Sequence, residues 1–598
     1  MNSSNPEQNS PTNLPQAEDL PPSESPQAFP DRPTDPLETA SQTPGRRRRV
    51  RKRRLSDRRK RPTNLERSAR AKRNAKRAYL ILALFFVLLP VFLLSRIPAL
   101  QAAYESPDYL VEQVSLPVGL AQGKSILGQK DDIDIVGAAI SPLPALFFSP
   151  IGRGSSLSSL QASGSFLAAL FTLPPILALL FFQSRRSREN NLRFIGLAVG
   201  IVFALIPLFL LPDLRSAMLL PGPYPIAMAC LLGIALLSSY ERSRAHWYFS
   251  NLAGILLALA FWCEPASAMA YFGIGGFFLY HQRLGDLRRF TISFLVFSIV
   301  LGLVLGIIFG FRSLWFNLVV IPLHTGFTNW SPEPQSLDGL FSGLMAAVKT
   351  VATGWFWVAP LAIFLVFATR KQRQSSHKKK DRLTSGRLVI VLVLISLSIA
   401  TIAPLAITRA GGHPQVCALF SFPIFIALGV FAQSRILHHP PKRRLSRNFI
   451  GIAAFLGIVL PIGYLGFQQL SNEAPIAPEH EAAVLELKSR SGWYFAPYHP
   501  LAHLLAEKKL FINAVAMDRY RLVSGNPISV SIRQSVPLTR RRILLPENQE
   551  NRASLNFIIS SFPYHNELHQ TAPQQSTIPI LEYYEIPEDD FELLMRRS

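Results

Sequence analysis

This 598-residue chain is short of charge and short of cysteine. Only 17% of its residues are charged while 49% are hydrophobic, against about 25% charged in ordinary soluble domains. That shortage excludes an ordinary soluble enzyme. Its three cysteines, Cys230, Cys263 and Cys417, have no CxxC spacing, so the sequence supports neither a disulfide framework nor a zinc site. No GxxxxGK[ST], HExxH or GxSxG pattern occurs, and without a phosphate loop an ATP-driven motor is disfavoured.

What is present is basic and unevenly placed. The formal net charge is +24, from 62 basic and 38 acidic residues. Residues 1–45 hold one basic and seven acidic side chains, whereas residues 46–77 hold 18 basic and two acidic. A run of this kind can bind nucleic acid through its phosphates. Here it abuts an uncharged apolar run, Tyr79 to Leu94, and a basic block against a first span reads as a cytoplasmic anchor facing anionic membrane lipids. No nucleic-acid role is expected. The Pro- and Ser-rich residues 1–45 lack the aliphatic density to form a core and predict a disordered tail.

A hydrocarbon core of ~30 Å needs about 20 helical residues. On that rule the sequence predicts a polytopic α-helical membrane protein of about eleven spans, near 79–95, 161–183, 194–212, 223–240, 248–263, 266–281, 290–311, 351–369, 388–408, 414–433 and 449–468. With the basic tail inside, the inner connections 184–193, 241–247, 282–289, 370–387 and 434–447 carry 22 Lys and Arg against four acidic residues, as the positive-inside rule requires. An odd count of crossings then puts the chain N-in and C-out. The expected organisation is a cytoplasmic tail over 1–78, a transmembrane domain over 79–469 and a small extracytoplasmic α/β domain over 470–598.

The first outer loop, 96–160, holds Tyr109, Leu110 and Val111, which suit an amphipathic helix lying at the membrane interface, then Ser141-Pro-Leu-Pro144 and an apolar run to Phe148. A second long loop, 312–350, carries Trp315, Phe316, Phe327 and Trp330, side chains suited to a membrane interface. Beyond residue 476, Trp493–Ala496 and Phe511–Ala514 read as strands flanking a helix over Pro500–Lys508, and 556–560 and 580–586 add further β-like runs.

The succession Glu105-Ser-Pro-Asp108-Tyr109, Gly119, Gly123-Lys124 and Ser141-Pro-Leu-Pro144 resembles the first outer loop of the GT-C superfamily of integral membrane glycosyltransferases. The likeness is greatest to the bacterial branch of protein mannosyltransferases and aminoarabinose transferases. That family has an acidic pair near a Tyr after the first span and a Pro-Pro-Leu-like element before the second; here the pair is split and Pro-Leu-Pro takes the second place. Pro212-Asp213 before the fourth span, Ala410-Gly-Gly-His-Pro-Gln415 before the tenth and the strand-helix-strand pattern of 493–518 extend the similarity over about 79–520. The resemblance implies transfer of a sugar from a polyprenyl-phosphate donor to a lipid, glycan or protein acceptor, on the outer face of a bacterial cytoplasmic membrane.

Such a transfer needs a carboxylate to take the acceptor's hydroxyl proton as the anomeric carbon gains oxocarbenium character. It also needs a cation or hydrogen-bond donor for the departing phosphate. The resemblance makes Glu105 and Asp108 the candidate bases; each also suits the cap of a following helix. Arg409 and His413, flanking a glycine pair, are phosphate candidates, with Arg312, Lys124 and Asp213 as further substrate candidates. An interfacial Arg with its stem along the apolar surface, a solvated His and an Asp213–Arg215 pair are the plain alternatives. Glu264 sits at a tight turn between two spans, where a carboxylate is either functional or simply wet. His324 and His499 have no assignment. Asp131, Asp132 and Asp134 would suit a divalent cation, although a hydrated acidic loop explains them as well. Two other classes remain: a transporter or lipid flippase, and a non-catalytic envelope assembly protein.

Overall fold

The computed structural model describes residues 109–124, 126, 141–153, 157–184, 190–239, 246–320, 345, 379–400, 414–438, 448–456, 478–511, 542–546, 574–575 and 581–585. The expected spans at 79–95 and 351–369 lie outside them, as do the carboxyl-terminal ends of those at 388–408 and 449–468.

Helices dominate. They are α1 (Tyr109–Ala121), α2 (Pro142–Phe148), α3 (Leu157–Ser184), α4 (Asn190–Leu210), α5 (Pro212–Leu219), α6 (Pro223–Ser239), α7 (His246–Cys263), α8 (Ala270–Tyr280), α9 (Leu284–Phe309), α10 (Phe311–Trp315), α11 (Lys379–Ala400) and α12 (Pro414–His438). A further helical stretch covers 448–456. With that stretch counted as α13, α14 (Pro478–Ser489) and α15 (Pro500–Ala506) follow.

Two of these are long and apolar enough to cross a membrane, Ser163–Ser184 within α3 and Leu284–Phe309, which is α9. A buried helix of a soluble protein can have the same composition, but α9 is not buried: only 17% of its most apolar window is covered. Ile292, Leu295, Ile299, Leu303 and Ile307 recur at helical spacing and are all exposed, Ile307 at 73%. At 1.5 Å per residue its 26 residues extend about 39 Å. An aliphatic face of that length is stable against hydrocarbon and costly in water.

The remaining helices pack through small residues and polar pins. α7 crosses α9 at Gly254, where an added Cβ would lie 2.6 Å from the Phe290 carbonyl oxygen. α12 crosses α4 at Gly429, where one would lie 2.7 Å from the Gly200 carbonyl. Only glycine lets the backbones approach so closely, as is common between helices in lipid. The α7–α9 contact is held further by Trp262 Nε1, which donates to the Ser298 carbonyl at 2.9 Å, and by Ser293 Oγ, which donates to Asn251 Oδ1 at 3.0 Å. The buried Gln433 of α12 donates from Nε2 to the Leu180 carbonyl of α3 at 2.7 Å.

Three elements differ from expectation. The sixth span, read as one helix over 266–281, opens with a 3-10 turn, Pro265–Met269, capped by Glu264, and α8 follows with 11 residues. Pro265 starts the turn and the Glu264 carboxylate accepts from the Ala266 amide, which satisfies an amide that would otherwise be orphaned at a helix start. The connection expected over 370–387 is helical from Lys379. Beyond α9 the chain turns at Gly310, with φ +85°, and continues as α10 and a π-turn, Phe316–Val320, rather than as an immediate loop.

The carboxyl-terminal segment contains a four-stranded sheet, in the order β1 (Tyr494–Phe495), β2 (Arg542–Pro546), β4 (Leu581–Glu585), β3 (Gln574–Gln575). β1 and β2 are parallel; β2–β4 and β4–β3 are antiparallel. The expected strands at 493–496 and 580–586 and the helix at 500–508 are present in slightly shorter form, and the helix ends before Lys508, which takes φ +59°. Phe511 is not in a strand; 512–514 and 556–560 lie outside the described residues. α14, β2 and β3 were not expected.

Candidate active site

Glu105 and Asp108 lie outside the described residues, but the helix that follows them does not. α1 begins at Tyr109, directly after Asp108. Val114, Leu116 and Val118 of α1 are buried in the main hydrophobic core, together with Leu143, Ala145 and Phe148 of α2 and Leu501, Leu504 and Leu505 of α15. The amphipathic segment expected around Tyr109 is therefore a helix packed against protein.

Local chemistry explains these elements. Ser141 caps α2, its Oγ accepting from the Leu143 amide at 3.3 Å, with Pro142 at the first helical position, where a missing N–H costs nothing. Phe147 and Phe148 both meet Phe171 of α3 edge-on at 5.8 Å. At its other end α1 closes through Gly123, with φ +72°, and the Lys124 amide returns to the Gly119 carbonyl at 2.9 Å. Left-handed backbone at that place is the usual role of glycine. Gln122 Nε2 donates to the Leu504 carbonyl at 3.4 Å, tying the end of α1 to α15. Lys124, half-buried at this turn, is thus next to the contact with the carboxyl-terminal segment.

The other candidates are placed as follows. Arg312 is exposed on α10, beside the exposed aromatics Phe311 and Trp315. Asp213 is the second residue of α5, after Pro212; its side chain lies outside the description. α5 is held to α3 by Thr172 Oγ1, which donates to the Met218 carbonyl at 2.8 Å. Arg409 and His413 lie outside the described residues, immediately before α12, as do Asp131, Asp132, Asp134 and His324. Among the described residues no group of three or more His, Cys, Asp or Glu side chains is arranged to hold a metal ion.

The structure adds a cluster that the sequence reading missed. His503 of α15 is buried, its Nε2 accepting from the Ala496 amide at 2.9 Å. That bond fixes the tautomer, so Nδ1–H donates to Glu507 Oε2 at 3.1 Å. Glu507 Oε1 accepts in turn from the Gly492 amide at 2.9 Å, closing the turn before β1. The Tyr494 hydroxyl accepts from Arg490 Nη1 at 3.3 Å and Arg542 Nη1 at 3.2 Å. Burial, and then its bond to the Glu486 carboxylate, push this phenol up. Arg542 also lies over the Trp493 ring, 5.1 Å from its centroid. These polar groups join α14, β1 and β2 to α15. Two signals for this were in the sequence: Pro478 followed by Ala482, Ala483 and Leu487, and three histidines within 24 residues.

No family model and no curated protein matches the sequence. Among solved structures, the chain is similar to the crystal structure of ArnT from Cupriavidus metallidurans bound to undecaprenyl phosphate. The identity is 10% and the TM-score 0.46, over 84% of this chain and 97% of that chain. A likeness of that size does not by itself assign a reaction.

Proposed function

We propose that this protein is a multi-pass membrane glycosyltransferase that moves a sugar from a polyprenyl-phosphate donor to an acceptor on the outer face of the membrane. The reading rests on where the acidic pair falls in the sequence, just ahead of a packed helix. Asp108 directly precedes α1 in the sequence and Glu105 lies three residues before Asp108; α1 packs against α2 and α15, and a reacting carboxylate benefits from a rigid neighbouring element. The GT-C-like order of residues around it supplies the chemistry.

In that chemistry Glu105 or Asp108 takes the proton of the acceptor hydroxyl, the acceptor oxygen bonds to the anomeric carbon, and the bond from that carbon to the phosphate oxygen breaks. The polyprenyl phosphate leaves, its charge met by Arg409 and His413, with Arg312 and Lys124 as further cations and Asp213 as a substrate contact. No nucleotide site is required because the donor arrives already activated. A basic juxtamembrane run over 46–77 would hold the tail to anionic lipid on the inner face.

The test uses the purified full chain in lipid nanodiscs, a panel of undecaprenyl-phosphate hexoses and pentoses carrying a radiolabel, and glycan, lipid and protein acceptors. Product is expected from at least one pairing. The Glu105→Gln/Asp108→Asn double variant should lose about 10²–10⁴-fold in rate, the usual contribution of a general base. Unchanged activity in the double variant removes both carboxylates from the mechanism, and movement of the sugar lipid without product assigns the chain to transport.

A further inference from the structure

His480, in the first turn of α14, and His499, the residue that precedes α15, are both almost fully buried. Their Nδ1 atoms are 2.9 Å apart and their rings stand perpendicular, 4.6 Å between centroids. One ring donates and the other accepts. The Nε2 atoms of both rings are buried with no hydrogen-bond partner among the described residues. No function described above uses this pair.

We infer that the His480–His499 pair is a proton-operated latch that holds α15 against α1 when both rings are neutral and releases it when they are charged. The placement of hydrogen atoms sets the response. A neutral pair has one proton to place between the two Nδ1 atoms and makes one good bond. A first added proton goes to the bare Nε2 of the donating ring and creates a buried cation with no acceptor among the described residues. A second puts hydrogen on both Nδ1 atoms, so the bond at 2.9 Å becomes a repulsive contact between two cations.

The surroundings do not relieve this. The charged or titratable groups that act on His499 among the described residues are His480 and His503, both of which disfavour a positive charge there. His503 is committed to Ala496 and Glu507. On α14, Glu486 is engaged at the Tyr494 hydroxyl. At the end of α1, which packs against α15, the described polar groups beside the contact are the Gln122 carboxamide and Lys124. Burial pushes His480 down to about 4, and burial and then His480 push His499 well below its ordinary range.

The direction of the response follows. Both groups bind protons more readily when the segment opens than when it is closed, so the closed form is fully favoured above the ordinary value of about 6.5 and loses ground as pH falls below it. From pH 7.5 to pH 5, His480 alone raises the opening equilibrium about 30-fold, and His499 adds to this in the same direction. Because His499 directly precedes α15, the strain is delivered to the helix whose Leu501, Leu504 and Leu505 share the core with α1.

The experiment is hydrogen exchange on the full chain in nanodiscs at pH 7.5, 6 and 5, corrected for the intrinsic pH dependence of exchange. Amides of residues 501–510 should open at least 30-fold more at pH 5, while those of α7 stay protected. In the His480→Asn/His499→Asn variant, which keeps an amide-to-carbonyl bond and cannot be charged, the opening should be independent of pH. A flat profile in the unaltered chain, or the same acid response in the variant, overturns the latch. Should the variant not fold, histidine-selective NMR of the unaltered chain decides: two imidazoles must stay neutral at pH 6, and titration of His480 or His499 at the ordinary value refutes the inference.

Discussion

Replacing Gly254 by alanine sets two known effects against each other. Alanine favours a helix interior over glycine by about 1 kcal/mol, so on propensity alone α7 would be stabilised. The added Cβ, however, would lie 2.6 Å from the Phe290 carbonyl oxygen and 2.8 Å from the Phe294 nitrogen, where ordinary contact begins at 3.4 Å. Both neighbours are backbone and cannot rotate away, so α7 and α9 must part by about 0.8 Å, a displacement that forfeits roughly a quarter to a half of each dispersion contact. It also stretches the Trp262–Ser298 and Ser293–Asn251 bonds beyond useful length; such bonds between membrane helices contribute about 0.6 kcal/mol each. Overpacking of this kind costs about 1–3 kcal/mol. With the two bonds lost and the propensity gain set against them, the expected net loss is about 1–3 kcal/mol.

The control is Gly276→Ala in α8, where an added Cβ meets nothing within 4 Å and the propensity gain should stand alone. Reversible unfolding of the full chain in mixed micelles, titrated with SDS, reads both variants. They should differ by about 2–4 kcal/mol, with Gly276→Ala the more stable. Equal stability of the two would refute the close crossing of α7 and α9.

Two further outcomes concern the carboxyl-terminal segment. Tyr494→Phe removes the acceptor shared by Arg490 and Arg542 and the donor to Glu486; hydrogen exchange over 490–506 should report a loss of about 1.5–3 kcal/mol, the range for bonds to charged groups, and unchanged protection would show the network to be dispensable. Leu504→Ala empties a fully buried position on α15 and should cost about 2–5 kcal/mol, seen as proteolytic access near 500–511, with α9 still protected.

Legibility in the sequence varied with the range of the forces involved. Helices α3, α4, α6, α7, α9 and α12 were readable because an apolar run of span length leaves its backbone little alternative to internal hydrogen bonding. The boundaries were less so. Glu264 and Pro265 mark a tight turn in the sequence, but that the chain makes a 3-10 turn there before α8 depends on how the carboxylate meets the Ala266 amide. The start of α11 at Lys379, inside a strongly charged segment, was hidden because composition carries no signal for a helix that extends beyond its apolar part.

The candidate site divides in the same way. The helix that follows Asp108 was legible as local chemistry and is present, whereas Ser141-Pro-Leu-Pro144 was legible only as a stretch ahead of an apolar run, and the structure makes it the capped start of α2. That α15 covers the end of α1, with Gln122 reaching the Leu504 carbonyl across 382 residues of chain, was not legible, since the partners are fixed by tertiary contact alone. The same holds for His480 and His499: the sequence offers two isolated histidines, and only packing makes them a buried pair.

By itself, then, the sequence determined the class of environment and the residues available to it: long apolar runs, few charges, and a basic excess confined to the tail and to alternate connections. Those are properties of composition and spacing, and hydrophobic transfer acts on them without reference to which segment lies beside which. The tertiary structure decided what those residues do together. It pressed Gly254 against the backbone of α9, left one face of that helix bare, laid α15 on α1 and brought two imidazoles to hydrogen-bonding distance. Each of these depends on a separation of a few ångströms between parts distant in the chain, over which dispersion, hydrogen bonding and desolvation change steeply.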